Sequence, residues 1–152
     1  MRLFFMKKQD EVIDDLIETL KDGQQGFREA AESVKDPQLK SLFHDYAQQR
    51  ARFLVELRSK AQNPDEREHN VSGSAAGALH RGWINLKSAL SKGDDHAILA
   101  ECERGEDSAV DEYQNALSDG LAAPVLEIVS RQYIEIKPTH DRIRDLRDAT
   151  KS

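Results

Sequence analysis

Apolar residues recur at three- and four-residue spacing along the chain, and no segment alternates apolar with polar side chains between turn clusters. That periodicity builds helices with one buried face and gives no basis for a sheet, so the expected class is all-α. Asp10 is a suitable N-cap, and Ile13, Leu16, Ile17, Leu20, Phe27, Ala30, Ala31 and Val34 mark a first helix over about 10–35. Asp36-Pro37 ends it and starts the next, because proline at the first helical position loses no hydrogen bond. Leu39, Leu42, Phe43, Tyr46, Phe53, Leu54, Leu57 and Ala61 mark the second helix, which so tight a turn lays antiparallel to the first. The polar stretch 62–73 reads as a loop, and Ser74 caps a shorter helix through Leu90, with Gly93 as its C′ residue. Asp94 or Asp95 caps a helix over 95–118, carrying Ile98, Cys102, Ala109, Tyr113, Ala116 and Leu117, and Asp119-Gly120 stops it. Pro124 opens a last helix over 123–149, with Leu126, Val129, Tyr133, Ile136, Ile143 and Leu146 on its stripe. Residues 1–9 are expected to be a flexible lead and 10–149 one domain.

Connection lengths select the topology. Two long helices joined tightly, a crossover from Gln62 to Gly93, then two more long helices joined tightly form a four-helix bundle whose middle connection returns along its length. That is the ferritin-like arrangement, with an additional short helix in the crossover. At 33% charged residues the chain exceeds the usual ~25%, as long solvated helix faces around a narrow core require. The formal charge of −6, with no basic stretch, argues against nucleic acid as a partner. Leu3 to Met6 is too short an apolar run for a signal segment or a membrane span. A single cysteine, Cys102, forms no intrachain disulfide and suits the cytoplasm; on an apolar face it reads as an inert buried thiol. No nucleophile elbow or phosphate loop is present.

The informative positions are those where a stripe should be apolar and is not. Gly23 and Gln24 fill the gap between Leu20 and Phe27, and Gln49 and Arg50 the gap between Tyr46 and Phe53. Glu106 stands four after Cys102 and three before Ala109, while Gln132 and His140 interrupt the last stripe. All lie near mid-helix, so antiparallel packing gathers Gln24, Gln49, Arg50, Glu106, Gln132 and His140 towards one buried polar layer. A carboxylate there requires a cation, a donor network or a metal. One reading is a hydrogen-bonded layer that sets helix register, with an Arg50–Glu106 salt bridge. The other is a metal site on Glu106 and His140, with Glu103 nearby. A standard di-iron bundle uses Glu-x-x-His on two helices, but Lys137 stands three before His140 and Ser41 three before His44. Pro138 is expected to kink the last helix, and Trp83 to plug the side of the bundle. Most of Glu101, Glu103, Glu106, Asp107, Asp111 and Glu112 are expected on a solvated face.

The segments LIETLKDGQQGFREAAESVKDPQLKSLF at 16–43, GSAAGALHRGWINLKSAL at 73–90, ECERGEDSAVDEY at 101–113 and RQYIEIKPTHDRIRDLRD at 131–148 resemble an uncharacterised bacterial family of ferritin-like four-helix bundles. The resemblance covers nearly the whole chain. It implies a ferritin-like fold, and proteins of that kind bind two irons through carboxylates and histidines, some storing iron or handling peroxide. Glu106 and His140 are the inward acid and imidazole carried over. The expected function is a noncatalytic cytoplasmic bundle, stress-related or an interaction module, without a cofactor, working as a homodimer or with a protein partner. The alternative is a divergent carboxylate/histidine protein binding iron or another divalent metal, with oxidase, peroxidase or iron-handling activity.

Overall fold

Helix boundaries in the computed structural model follow the capping residues. The structure describes residues 2–60 and 82–150, in the order α1 Arg2–Ser33, α2 Pro37–Arg58, α3 Leu86–Lys92, α4 Asp95–Ser118 and α5 Ala123–Ala149. The Asp36 carboxylate accepts from the Gln38 amide at 2.8 Å and caps α2, and Asp94 does the same for α4 from the His96 amide at 2.9 Å. Gly93 and Gly120 adopt left-handed backbone, φ 64° and 73°, after α3 and α4. α1 begins at Arg2, well before Asp10, because nothing between them breaks a helix. Among the described residues of the crossover, helix begins only at Leu86. Residues 61–81 lie outside the described part, with the expected loop and Ser74 cap, and Trp83 precedes α3 in irregular backbone. Pro138 sits inside α5 without ending it.

Among the described residues the chain is all-helical, a helical bundle, and none of its helices is long and apolar enough to cross a membrane. α1 packs on α2 and α4, and α5 on α4 and α2. Polar ties fix the ends. Asp95 of α4 accepts from the Lys35 and Asp36 amides at 2.8 and 3.1 Å, joining the α1–α2 turn to the start of α4. Gln9 accepts from the Ala122 amide at 2.6 Å at the opposite end, and His96 meets Thr150 at 2.8 Å, so α4 and α5 run antiparallel.

The core divides into two apolar clusters. One holds Ile13, Leu16, Ile17, Leu20, Phe53, Leu57, Tyr113, Val129 and Ile136. The other holds Phe27, Ala30, Phe43, Tyr46, Trp83, Ile98, Cys102 and Ile143. Trp83 plugs the second cluster between α1 and α4. Its ring meets Phe27 edge-on at 5.2 Å, and the slot exists because Gly26 and Gly105 have no side chain: a Cβ would lie 2.6 and 2.1 Å from the indole. Gly82, at φ 99°, brings the backbone against the Arg104 carbonyl with no room for a Cβ. Glu101 completes the seat. It is buried rather than solvated, accepting from the Asn85 amide at 2.8 Å at the start of α3.

Gly105→Ala gains helix propensity, ~1 kcal/mol, but the clash with an indole held on all sides outweighs it. The expected result is a lower urea midpoint, a net loss of about 1–2 kcal/mol, together with a red shift in fluorescence from the sole tryptophan as Trp83 leaves its slot.

Candidate functional site

Between the two apolar clusters each long helix contributes one position of a single layer: Gly23 from α1, Arg50 from α2, Glu106 from α4 and Thr139 from α5. Arg50 is 1% exposed and Glu106 fully buried. The guanidinium grips both carboxylate oxygens, Nη1 to Oε1 at 2.6 Å and Nη2 to Oε2 at 2.8 Å, a bidentate pair of the stronger class. Arg50 Nη2 also reaches Thr139 Oγ1 at 3.1 Å, and Arg50 Nε donates to Gln49 Oε1 at 3.2 Å. The Thr139 hydroxyl lies 2.6 Å from both Glu106 Oε2 and the Ile136 carbonyl, with one proton to donate between them. Phe27 stacks beneath the cation, 5.3 Å from its ring centre. Gly23 is what lets the arginine in, since a Cβ there would lie 3.3 Å from Nη1. Burial opposes the charge on Arg50, but Glu106 more than compensates and raises its pKa further. Burial, then the nearby Glu106 and Glu101, pushes the Cys102 thiol well up, so it is buried and unreactive, as its place on the apolar face suggested.

Two expected members of the layer stand elsewhere. His140 is half-buried at the surface, not in the core. Nε2 faces Asp107 Oδ1 at 2.5 Å and Nδ1 faces Asp141 Oδ1 at 2.9 Å. Of the expected α5 stripe, Val129, Ile136 and Ile143 are buried, but the buried face also takes in Val125, Ile128, Gln132 and Thr139 in place of Leu126 and Tyr133, turning Thr139 inward and His140 out. Thr139 was legible as the other residue filling the Ile136–Ile143 gap, but a threonine carries no metal-ligand signal. Gln132 is buried, but in a second network: it accepts from the Tyr113 hydroxyl at 2.6 Å and donates to the Phe53 carbonyl at 3.2 Å and to Glu56 at 2.9 Å. Arg131 pairs with the same Glu56 at 2.5 Å. Burial raises the Tyr113 phenol well above its usual range. Gln24 and Gln49 are half-buried.

Glu106 and His140 therefore do not share a site. Glu103 sides with His140: Glu103, Asp107 and His140 place one ligand atom each within 4.8 Å of one another. Burial works against protonation of His140, but hydrogen bonds to Asp141 and then Asp107 prevail and raise its pKa. Asp141 is held down to about 2, by Lys137 first and His140 next. The core residues do not fit a di-iron centre. Both oxygens of the Glu106 carboxylate are taken by Arg50, and none of Gly23, Arg50 and Thr139 is a carboxylate or imidazole.

A family model described as a domain of unknown function, DUF2383, matches residues 9–119, a span that includes Arg50 and Glu106. No curated protein matches the chain.

Glu106→Gln leaves a buried guanidinium without its counter-charge and is expected to destabilise the fold by about 3–5 kcal/mol. Arg50→Met combined with Glu106→Leu removes both charges into similar volume and is expected to be at least as stable as the native chain in the same urea titration. A separate pH effect comes from Glu56, whose pKa is lowered, first by its hydrogen bond from Arg131 and then by Gln132, against burial. Its contribution is full above the usual carboxylate pKa and is lost as pH falls through the depressed value. Acid unfolding followed by circular dichroism should therefore be less steep in Glu56→Gln.

Proposed function

The chain belongs to the DUF2383 family, a domain of unknown function, and we propose that it is a ferritin-like four-helix bundle in which an ion pair stands where a di-metal centre would be. Its role is noncatalytic and cytoplasmic, exercised through its surface as a stress-related or interaction module. The order of the helices, tight turns within each pair and a long connection between pairs, supports the topology. So do the ties that bring the α1–α2 turn to the start of α4, since α2 ends at the other end of the bundle.

The observation that carries the reading is the Arg50–Glu106 pair. A metal centre at this level needs several inward carboxylates and imidazoles on the four helices. Here the positions facing one another are a glycine, an arginine, a glutamate and a threonine. Arg50 stays charged at any physiological pH and presents its fork to both Glu106 oxygens. A cation entering the layer would meet a fixed positive charge and a carboxylate already satisfied. What the layer supplies is register: four hydrogen bonds among Arg50, Glu106 and Thr139 are met only when α2, α4 and α5 stand at one height.

Anaerobic addition of Fe(II) to protein purified without a histidine tag, then air, tests this by ultraviolet absorbance and iron analysis. The expected outcome is ferrous oxidation at the same rate in the native chain and in Arg50→Met/Glu106→Leu. Uptake of two irons per chain that the double variant abolishes would overturn the reading.

A further inference from the structure

We propose that Glu103, Asp107 and His140 form a binding site for one divalent transition-metal ion on the bundle surface between α4 and α5. The proposal is independent of the ion pair in the core, which it leaves intact. Glu103 and Asp107 stand four apart on α4 and so project from one face one turn apart. His140 faces them from α5. A carboxylate oxygen from each acid and Nε2 of the imidazole lie within 4.8 Å of one another. Binding draws them in to the ~3–3.5 Å separations that ligands ~2.1 Å from one ion require, a movement the carboxylate torsions supply. One nitrogen and two oxygens suit zinc, manganese or ferrous ions, whereas calcium and magnesium prefer oxygen alone.

Two further observations bear on the site. First, His140 is oriented from behind. Asp141 Oδ1 lies 2.9 Å from Nδ1, and Lys137 fixes Asp141 at 2.8 Å, with Arg144 at 3.6 Å. A carboxylate on Nδ1 sets the tautomer that leaves Nε2 as the electron-pair donor, the arrangement found behind metal-bound histidines. Second, Glu103 Oε1 is buried and ion-paired with Arg147 Nη1 at 2.6 Å, a cation that an incoming metal ion replaces. Arg147 also bonds Asp148 at 2.9 Å, so it has a partner to turn to when an ion takes Glu103. Without the ion, a proton shared between Nε2 and Asp107 Oδ1, 2.5 Å apart, does the ion's work of holding acid and base together.

The test is calorimetric titration of Zn2+ into the full, tag-free chain, with visible absorption of Co2+ as a second probe. The expected result is one ion per chain, with affinity falling at least tenfold in His140→Ala and in Asp107→Asn, the latter a change at a mostly exposed side chain that spares the fold. Asp141→Asn is expected to weaken binding by roughly tenfold through the imidazole. Arg147→Gln strengthens it, by removing the competing cation. No saturable uptake of either metal overturns the proposal, as does an affinity that neither His140→Ala nor Asp107→Asn changes. Uptake that survives His140→Ala but disappears in Arg50→Met/Glu106→Leu overturns both this site and the reading of the core.

Discussion

The buried bidentate contact between Arg50 and Glu106 is the constraint on which the rest of the bundle depends. Two charges withdrawn from water carry a desolvation cost of several kcal/mol each, recovered only in good geometry with the remaining donors satisfied. The bundle meets that condition at one height. Gly23 opens space for the guanidinium, Phe27 lies under it, and Thr139 and Gln49 occupy its other donors. Sliding α2 or α4 by one turn separates the partners and strands a charge, and sliding α5 withdraws the Thr139 hydroxyl from both. Apolar side chains above and below tolerate such slips far better, because hydrophobic contact has no direction. The pair thus contributes uniqueness of packing more than net stability.

Contacts on the half of the bundle holding Trp83 act in concert with that layer. Trp83 touches Phe27, which in turn contacts Phe43 and Tyr46 as well as Arg50. The indole is admitted by Gly26 and by Gly105, the residue before Glu106 on α4. The crossover is therefore pinned beside the ion pair, with Glu101 fastening the backbone where α3 begins. The second polar set, Tyr113, Gln132, Glu56 and Arg131, lies further towards the other end and links α2, α4 and α5 again. Two polar levels and one aromatic plug fix the relative heights of helices whose apolar stripes alone would leave them free to slide.

The metal site we propose lies on the flank of the bundle and not on its axis. In the core, Glu106 is engaged by arginine through both oxygens. On the surface between α4 and α5, two acids meet an imidazole with a carboxylate behind it. The two groups occupy consecutive positions on the same helices, Glu106 beside Asp107 and Thr139 beside His140. A rotation of one residue separates a sealed structural contact from a charged cluster that reaches the surface at Asp107.

Much of this was legible in the residues themselves. The α4 and α5 limits, the caps at Asp36 and Asp94 and the turns at Gly93 and Gly120 follow from local backbone preference, which acts over a few residues and needs no partner. The gaps in the stripes at Gly23, Arg50 and Glu106 were equally plain, and with them the salt bridge as one reading, because an interruption in an apolar period shows in one dimension. The reading of the periodicity took His140 as the inward residue, where Thr139 is the one that is buried. Both fill the same gap, and the sense in which α5 rotates is set by how Val125 and Ile128 pack against neighbouring helices. Nor did it reveal that Glu101 is buried or that Gly26 and Gly105 make room for an indole from the crossover. The sequence by itself determined which segments are helical, where they stop and which positions break the apolar faces; only the tertiary structure decided which polar groups meet, because the roll of a helix about its axis is settled by side chains distant in the chain.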